Sequence, residues 1–554
     1  MFGATPYILR GKEKVSTLGP TAERRIGGIG LTVALIGLEQ WNEWVCNRHT
    51  MLPYIVKHPI DLLDNNQIPT WEHVWKHASP YSVLLESGKD GRYTFLGLQP
   101  NEILSGKGDS GIIYDQAGQL SGTLSGTPLQ VIQSWLQCYR APLLSPLKLP
   151  TFTGGCIGYL AYDVVRTLEK LPNLAKDDLN LPDYLMMRFD QLWIVDHEEH
   201  ALYCAVQTWI GEGREHDQLA FSYQKAANQA AHMKQLWDQM YADAAKENHR
   251  AEKYGRELQT ARLDVDVQAI TGVQAAFERD AYIEAVQRIQ DYIRKGDVFQ
   301  VNLSVRQSKP LACKPEVLYE WLRLVNPSPY MGLIRTPAFQ LVSGSPELLV
   351  QLDGEQVRTR PIAGTRPRGA SPQEDLEFAS ELLSNEKERA EHIMLVDLER
   401  NDLGKVSRYG TVRVNDLLTI EKYSHVMHLV SEVTGTLGPE LNAFDLIAAT
   451  FPGGTITGAP KVRTMQIIEE LEPVRRGPYT GSIGWIDYSG NMELNIVIRT
   501  LIAKDGIGYV QAGAGIVIDS DPDKEYVESV NKAKAIWKSI QYAEQELSSV
   551  PKQI

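Results

Sequence analysis

The spacing of apolar and polar positions in the second half of the chain changes period several times, and each change marks an element. Tyr282, Val286, Ile289 and Ile293 recur at helical spacing, with Asp280 placed to cap the start and Gly296 to stop the helix. Phe299, Val301, Leu303 and Val305 then alternate with Gln300, Asn302 and Ser304, the period of two expected of a strand with one polar face. That face either lines a site or meets solvent. Further on, 482–488, 495–503 and 507–512 predict a three-stranded meander, with Asp505-Gly506 as its second turn.

The first 220 residues or so predict mainly strands, among them 83–85 and 93–98 around a Gly-Lys-Asp-Gly turn, and a hairpin near His197–His200. From Ala226 to Glu257 the chain is rich in Ala, Gln, Lys and Glu without a strand signal, and 263–272 has no strong pattern. Three segments follow: an atypical extension over 1–50, a β-rich domain over 51–270 and a catalytic domain over 271–545. At 554 residues the chain exceeds the roughly 250–300 at which one core stops growing, so more than one layer or domain is expected. No repeat of 20–50 residues is evident, which excludes a solenoid.

The stretch 26–38 is apolar or glycine except for Thr32 and follows several basic residues. It imitates a secretory signal, but it is shorter than the ~20 residues that span a bilayer. No small-x-small cleavage site precedes Glu39, so a buried strand or an extension is the expectation. A net charge of -13 gives no electrostatic reason to expect nucleic acid, and an acidic chain that binds an anion must do so locally. The five cysteines contain no Cys-x-x-Cys pair, which suits a reducing compartment and excludes a zinc knuckle; the cytoplasm is the default.

Glu388 and Glu391 lie in a run of helix formers, and a spacing of three puts both carboxylates on one face. For this helix alone, a solvated surface with Lys387 beside Glu391 explains the pattern as well. A second helix repeats it: Asp521 is placed to cap, Pro522 fits the first position, and Glu525 and Glu528 fall in the opening turns. Four hard oxygen donors gathered together require a cation, and all-oxygen ligation points to Mg²⁺.

The stretch 451–461, Phe-Pro-Gly-Gly-Thr-Ile-Thr-Gly-Ala-Pro-Lys, lacks the Lys-Ser/Thr that a Walker A loop requires. It predicts instead an anion pocket of backbone N–H groups with the Thr455 hydroxyl, ahead of a helix that Pro460 begins. Gln511-Ala-Gly-Ala-Gly-Ile516 offers a close backbone approach to a ligand, or simply a tight turn. Arg499 sits in an apolar strand, where a guanidinium needs an anion from protein or substrate. His428 reads first as a satisfied core histidine. Glu347, after Pro346 at the start of an apolar strand, is a candidate general acid or a strand-end salt bridge.

Together these segments, from about 277 to 540, resemble the chorismate-utilising enzymes, which include anthranilate, aminodeoxychorismate, isochorismate and salicylate synthases. The resemblance implies an α/β fold of large antiparallel sheets packed as a sandwich with helices outside. It implies that Glu391 and Glu528 ligate Mg²⁺, with Glu388 and Glu525 direct or through water, and that the ion holds the ring carboxylate of chorismate. Gly364, Thr365 and Lys532 would help at that end; Tyr479, Arg499, Gly513, Ala514 and Gly515 would bind the enolpyruvyl carboxylate. Glu347 would protonate the departing C4 hydroxyl, with His428 beside the ring and Thr455 in the loop.

Family members that add water carry a lysine where this chain has Gln300, so ammonia from a glutamine amidotransferase subunit is the implied nucleophile. The chain reads Pro361-Ile-Ala-Gly-Thr365, so Ala363 replaces the lysine that many aminodeoxychorismate synthases use covalently. Three segments, 297–304, 451–458 and 481–485, nevertheless look like the Bacillus-type aminodeoxychorismate synthases that share this alanine. That implies 4-amino-4-deoxychorismate for p-aminobenzoate and folate, with anthranilate as the alternative product. Leu-Leu-Glu-Ser87 and Asn326-Pro-Ser-Pro329-Tyr330-Met331 match the family's tryptophan pocket. A reading of another class is a non-catalytic regulator that binds tryptophan or a partner.

Overall fold

The computed structural model describes residues 32–60, 70–88, 91–144, 149–211, 216–246, 250, 265–423 and 426–549. Among these, two large antiparallel sheets of thirteen and twelve strands carry the fold, with helices around them. The largest apolar cluster takes side chains from both sheets, including Leu303, Leu341 and Leu501 from the first and Tyr159, Met187 and Ile483 from the second. The expected mixed α/β sandwich is therefore the architecture.

Residue 270 does not separate two cores. The strand Ser82–Glu86 pairs with Tyr330–Arg335 in the first sheet, and Gly155–Leu160 pairs with Ser482–Asp487 in the second. Each side of the boundary contributes strands to both sheets, so the two halves share one pair of layers.

Of the apolar stretch 26–38, residues 26–31 lie outside the described residues. Val33–Ala34 form a short exposed edge strand, and a helix begins at Leu38 and buries Trp41. The centre of the Gly-Lys-Asp-Gly turn, 89–90, is also outside them, while its flanking strands pair as expected. The Ala- and Gln-rich segment is largely one helix, His216–Lys246, and the part from 251 to 257 is not described.

Three local expectations are corrected. The helix Arg279–Arg294 is preceded by Glu278 at the cap position, which leaves Asp280 in its first turn. The polar face of Gln300–Pro310 does not meet solvent: Gln300, Asn302 and Ser304 are all buried. The predicted meander is two hairpins in different sheets. Ser482–Asp487 pairs with Met492–Ile496 in one, and Thr500–Lys504 with Ile507–Ile516 in the other. The chain crosses between sheets at 497–499, where Arg499 has φ 52°.

A second crossing lies beside the first. Gln340–Ser345 belongs to the first sheet and Leu348–Asp353 to the second, so Pro346-Glu347 spans the gap. The crossings are bonded together: Ile496 N–H donates to the Glu347 carbonyl at 3.0 Å, Gly344 N–H to the Arg499 carbonyl at 3.0 Å, and the Ser345 hydroxyl to the Ile496 carbonyl at 2.6 Å. Glu347 and Arg499 thus emerge together between the layers.

Candidate active site

Two helix N-termini bring the acidic residues in. In Glu386–Gly404 the Asn385 side chain caps the start by accepting from Glu388 N–H at 3.1 Å. In Pro522–Asn531, Asp521 accepts from Asp523 and Lys524, with Pro522 at the start as expected. Partial positive charge at both termini favours the carboxylates placed there.

Each glutamate has a partner. Glu388 pairs with Arg366 at 3.0 Å and Glu528 with Lys532 at 3.0 Å. Glu391 accepts from the Gln300 side-chain amide at 2.8 Å. Burial raises the pKa of Glu391 above the usual range, with the Gln300 hydrogen bond opposing. Burial also raises Glu525, opposed by a hydrogen bond to Ser520. Both carboxyls feel the same two ammonium groups, Lys387 and Lys532, which places the two helices over one region. Among the described residues, no three His, Cys, Asp or Glu side chains converge tightly enough to hold a metal. The chemistry of the donors nonetheless fits a hard cation: all are oxygen, and the two most buried, Glu391 and Glu525, have neutral hydrogen-bond donors rather than ion pairs.

Lys532 ties the opposite wall together. Its Nζ donates to the Gly513 carbonyl at 2.9 Å, and its own carbonyl accepts from Arg499 at 2.9 Å. Among the described residues no carboxylate forms an ion pair with Arg499, which is half-buried, and desolvation lowers its pKa. A desolvated guanidinium in that condition is a receptor for an anion. Tyr479, which is buried, lies near Arg499 and has its hydroxyl pushed up by burial. Gly513, Ala514 and Gly515 pair with Ser304, Leu303 and Asn302. A Cβ on Gly513 would stand 2.5 Å from the Leu303 carbonyl, so glycine there is a packing requirement.

Glu347 is fully buried, and desolvation pushes its pKa up to about 8. The Ile362 N–H reaches it at 3.3 Å and favours the charged form, but does not offset burial; among the described residues the Thr455 hydroxyl is buried without a hydrogen-bond partner. Among the described residues Glu347 has no salt bridge; the strand-end ion pair does not form. His428 is held near 4 by burial and is neutral, with its Nδ1 shared between the Gly364 carbonyl at 3.0 Å and the Thr365 hydroxyl at 3.1 Å. Gly364 has φ 62° and lies under Glu388, whose Oε2 would be 3.1 Å from a Cβ there.

The loop 451–461 contains a short 3-10 turn, Gly454–Ile456, and the helix starts at Lys461, with Pro460 in the cap position just before it. Arg476, buried and paired with Glu472, braces the loop by donating to the Ile456 and Asn302 carbonyls. Sequence reasoning passed over Arg366, Arg476 and Glu399. Arg366 had a signal in its place beside Gly364-Thr365; the others had none.

Ser87, Pro329, Tyr330 and Met331 come together elsewhere, on a cavity of about 580 Å³ whose wall includes Tyr93 and Trp485. This cavity lies apart from the carboxylates and touches the site's surroundings through Tyr423, whose ring meets the His428 ring edge-on at 5.3 Å.

Residues 81–538 match the family model described as chorismate binding enzyme, and the chain belongs to that family. It is 46% identical over 466 residues to aminodeoxychorismate synthase component 1 of Bacillus subtilis, covering 84% of this chain and 93% of that protein. It is 43% identical to anthranilate synthase component 1 of Thermus thermophilus, over 84% of this chain and 93% of the relative. The crystal structure of anthranilate synthase component I from Streptococcus pneumoniae superposes with a TM-score of 0.63 at 32% identity, covering 81% of this chain and 92% of that one. The menaquinone-specific isochorismate synthase of Escherichia coli shares the fold, with a TM-score of 0.59 at 15% identity. The chain is therefore a chorismate-utilising enzyme. Among the described residues, no helix is long and apolar enough to cross a membrane.

Proposed function

We propose that the chain aminates chorismate at C4, taking ammonia from a glutamine amidotransferase subunit in the cytoplasm and giving 4-amino-4-deoxychorismate for p-aminobenzoate and folate synthesis. The observation that carries this reading is the pairing of unlike groups at the two sheet crossings. Glu347 is buried and keeps its proton near neutral pH; Arg499 is half-buried and keeps its charge without a carboxylate partner among the described residues.

Arg499 and Tyr479 bind one carboxylate of the substrate. Glu347 gives its proton to the C4 oxygen as that bond breaks, so the leaving group departs as water rather than hydroxide. His428, neutral and fixed by Gly364, packs beside the ring without adding a charge. Glu391 and Glu528 would hold Mg²⁺, with Glu388 and Glu525 direct or through water. When bound, the ion supplies charge neutralisation and orientation for the other carboxylate. Gln300, bonded to Glu391, is no base; ammonia needs none, whereas water does. Ala363 leaves no lysine for a covalent intermediate, so ammonia adds directly.

The 46% identity to the Bacillus relative supports this product. Anthranilate is the second reading. It is favoured by Ala363, by the 43% identity to the Thermus relative, and by the cavity at Ser87 and Tyr330, where tryptophan would bind. Incubation of the chain with chorismate, Mg²⁺ and ammonium salt, with and without an aminodeoxychorismate lyase, decides between them. Product that yields p-aminobenzoate only with the lyase supports the proposal. Anthranilate and pyruvate from this chain alone overturn it, and no turnover at saturating substrate supports a regulator. Calorimetric titration with tryptophan tests the cavity separately.

A further inference from the structure

One face of the strand Gln300–Pro310 carries acceptors that the protein does not meet. Gln300 and Asn302, both at least nine-tenths buried, alternate along it roughly 6–7 Å apart and share a side. Their amides are oriented by chemistry, because each amide nitrogen faces a group that only accepts. Gln300 Nε2 donates to the Glu391 carboxylate at 2.8 Å, and Asn302 Nδ2 to the Thr455 carbonyl at 3.4 Å. The oxygens are thereby turned away from both partners. Among the described residues neither Gln300 Oε1 nor Asn302 Oδ1 has a hydrogen bond, and the buried Thr455 hydroxyl is a third polar oxygen without one.

Glycine on the next strand makes the room. A Cβ on Gly513 would stand 2.8 Å from Asn302 Oδ1, and one on Gly515 would stand 2.1 Å from Gln300 Nε2. The acceptors thus lie along the glycines that the proposed function gives to substrate, between Glu391 and the loop 451–461.

Buried acceptors call for donors, and three together point to a ligand that brings several. Chorismate brings one: its carboxylates and ether oxygen only accept, and its C4 hydroxyl has a single O–H. Ammonia brings three N–H donors on one atom, with a lone pair to spare. The wall is also uncharged. Gln300 turns its N–H onto Glu391 and stands between that carboxylate and the acceptors, whereas a bare carboxylate would favour ammonium, which has no lone pair to give.

We propose that Gln300 Oε1, Asn302 Oδ1 and the Thr455 hydroxyl receive ammonia by accepting its N–H bonds, leaving the lone pair for the chorismate ring. The proposal rests on the reading of the chain as an ammonia-dependent enzyme.

The test is steady-state kinetics of the full chain with Mg²⁺ at fixed pH, varying ammonium salt and chorismate in turn, for wild type, Asn302→Leu and Thr455→Val. Asn302→Leu removes the acceptor and keeps the branched shape. In each variant the KM for ammonia is expected to rise at least about threefold, and further in Asn302→Leu, with the KM for chorismate within about twofold of wild type. Thr455→Val removes a hydroxyl that has no partner, so it should fold, and it decides if Asn302→Leu does not. A smaller rise, or an equal rise in both KM values, overturns the proposal and leaves the acceptors to water. So does a folded variant that stays inactive at saturating ammonium, because concentration restores a lost binding contact. Wild type without ammonia-dependent turnover overturns the amination reading itself; ammonia-dependent wild type with unmoved KM values in the variants overturns only this site.

Discussion

Gln300 gives its side-chain amide to Glu391 at 2.8 Å, and Gly515 lies so close that a Cβ on it would stand 2.1 Å from the donating nitrogen. The contact exists because a glycine on the neighbouring strand leaves room beside it for the Gln300 amide. Gly515→Ala is expected to push the amide off Glu391, costing about 1–3 kcal/mol of stability from the crowding. Turnover should fall at least about tenfold. Urea unfolding and steady-state kinetics on the same preparation check both numbers. Wild-type turnover in Gly515→Ala would mean the Gln300 contact is incidental.

Turnover should decline about tenfold per pH unit above roughly 8, as the Glu347 proton is lost. Stability follows with a definite sign. Glu347 is raised from 4.5 in an ordinary environment to about 8 when folded, so its contribution is complete at acid pH and disappears as pH rises through that window. Glu347→Gln stays neutral and should therefore gain stability relative to wild type between pH 5 and 9, read as a difference in melting temperature. A constant difference across that range would contradict the buried acid.

Arg499→Met should separate binding from folding. The guanidinium is half-buried without a carboxylate partner among the described residues, so its removal should leave the fold about as stable. Loss of a charge-assisted contact of about 1.5–3 kcal/mol predicts roughly a 10- to 100-fold weaker grip on chorismate. Fluorescence titration and thermal unfolding give the two readouts. A variant that melts at lower temperature yet binds chorismate with wild-type affinity when folded would show that Arg499 serves structure alone.

Glu391→Gln and Glu528→Gln should each abolish Mg²⁺-dependent turnover while leaving circular dichroism unchanged. Magnesium titration by calorimetry should lose its signal in both. Retained activity in either would place the cation elsewhere.

The second acidic helix was legible in full, because capping depends on residues adjacent in sequence: Asp521 and Pro522 signal its start, and Glu525 and Glu528 follow at once. The break at 497–499 was not, since Asn495 to Ala503 is as apolar as a single strand and nothing local tells a strand to change sheets. The cover over Gln300, Asn302 and Ser304 escaped for a related reason. Period-two patterns report which side chains share a face, whereas the loop 451–461 that closes over this one comes from more than 150 residues away, as the Asn302 contact with Thr455 shows. The buried Glu399 gave no signal either: within its helix it reads as one more surface carboxylate among Glu, Lys and Arg.

The paired crossings at 346–347 and 497–499 make the two sheets mechanically one body at the point where chemistry is proposed. Sliding one layer over the other would tear Ile496 from Glu347 and Gly344 from Arg499, so the acid and the anion receptor cannot separate while the sandwich persists. The site is therefore clamped shut against shear, and whatever motion admits substrate must come from the helices and loops around it. Amide exchange should mark that asymmetry, with the crossing residues among the last in the chain to exchange and the two glutamate helices among the first.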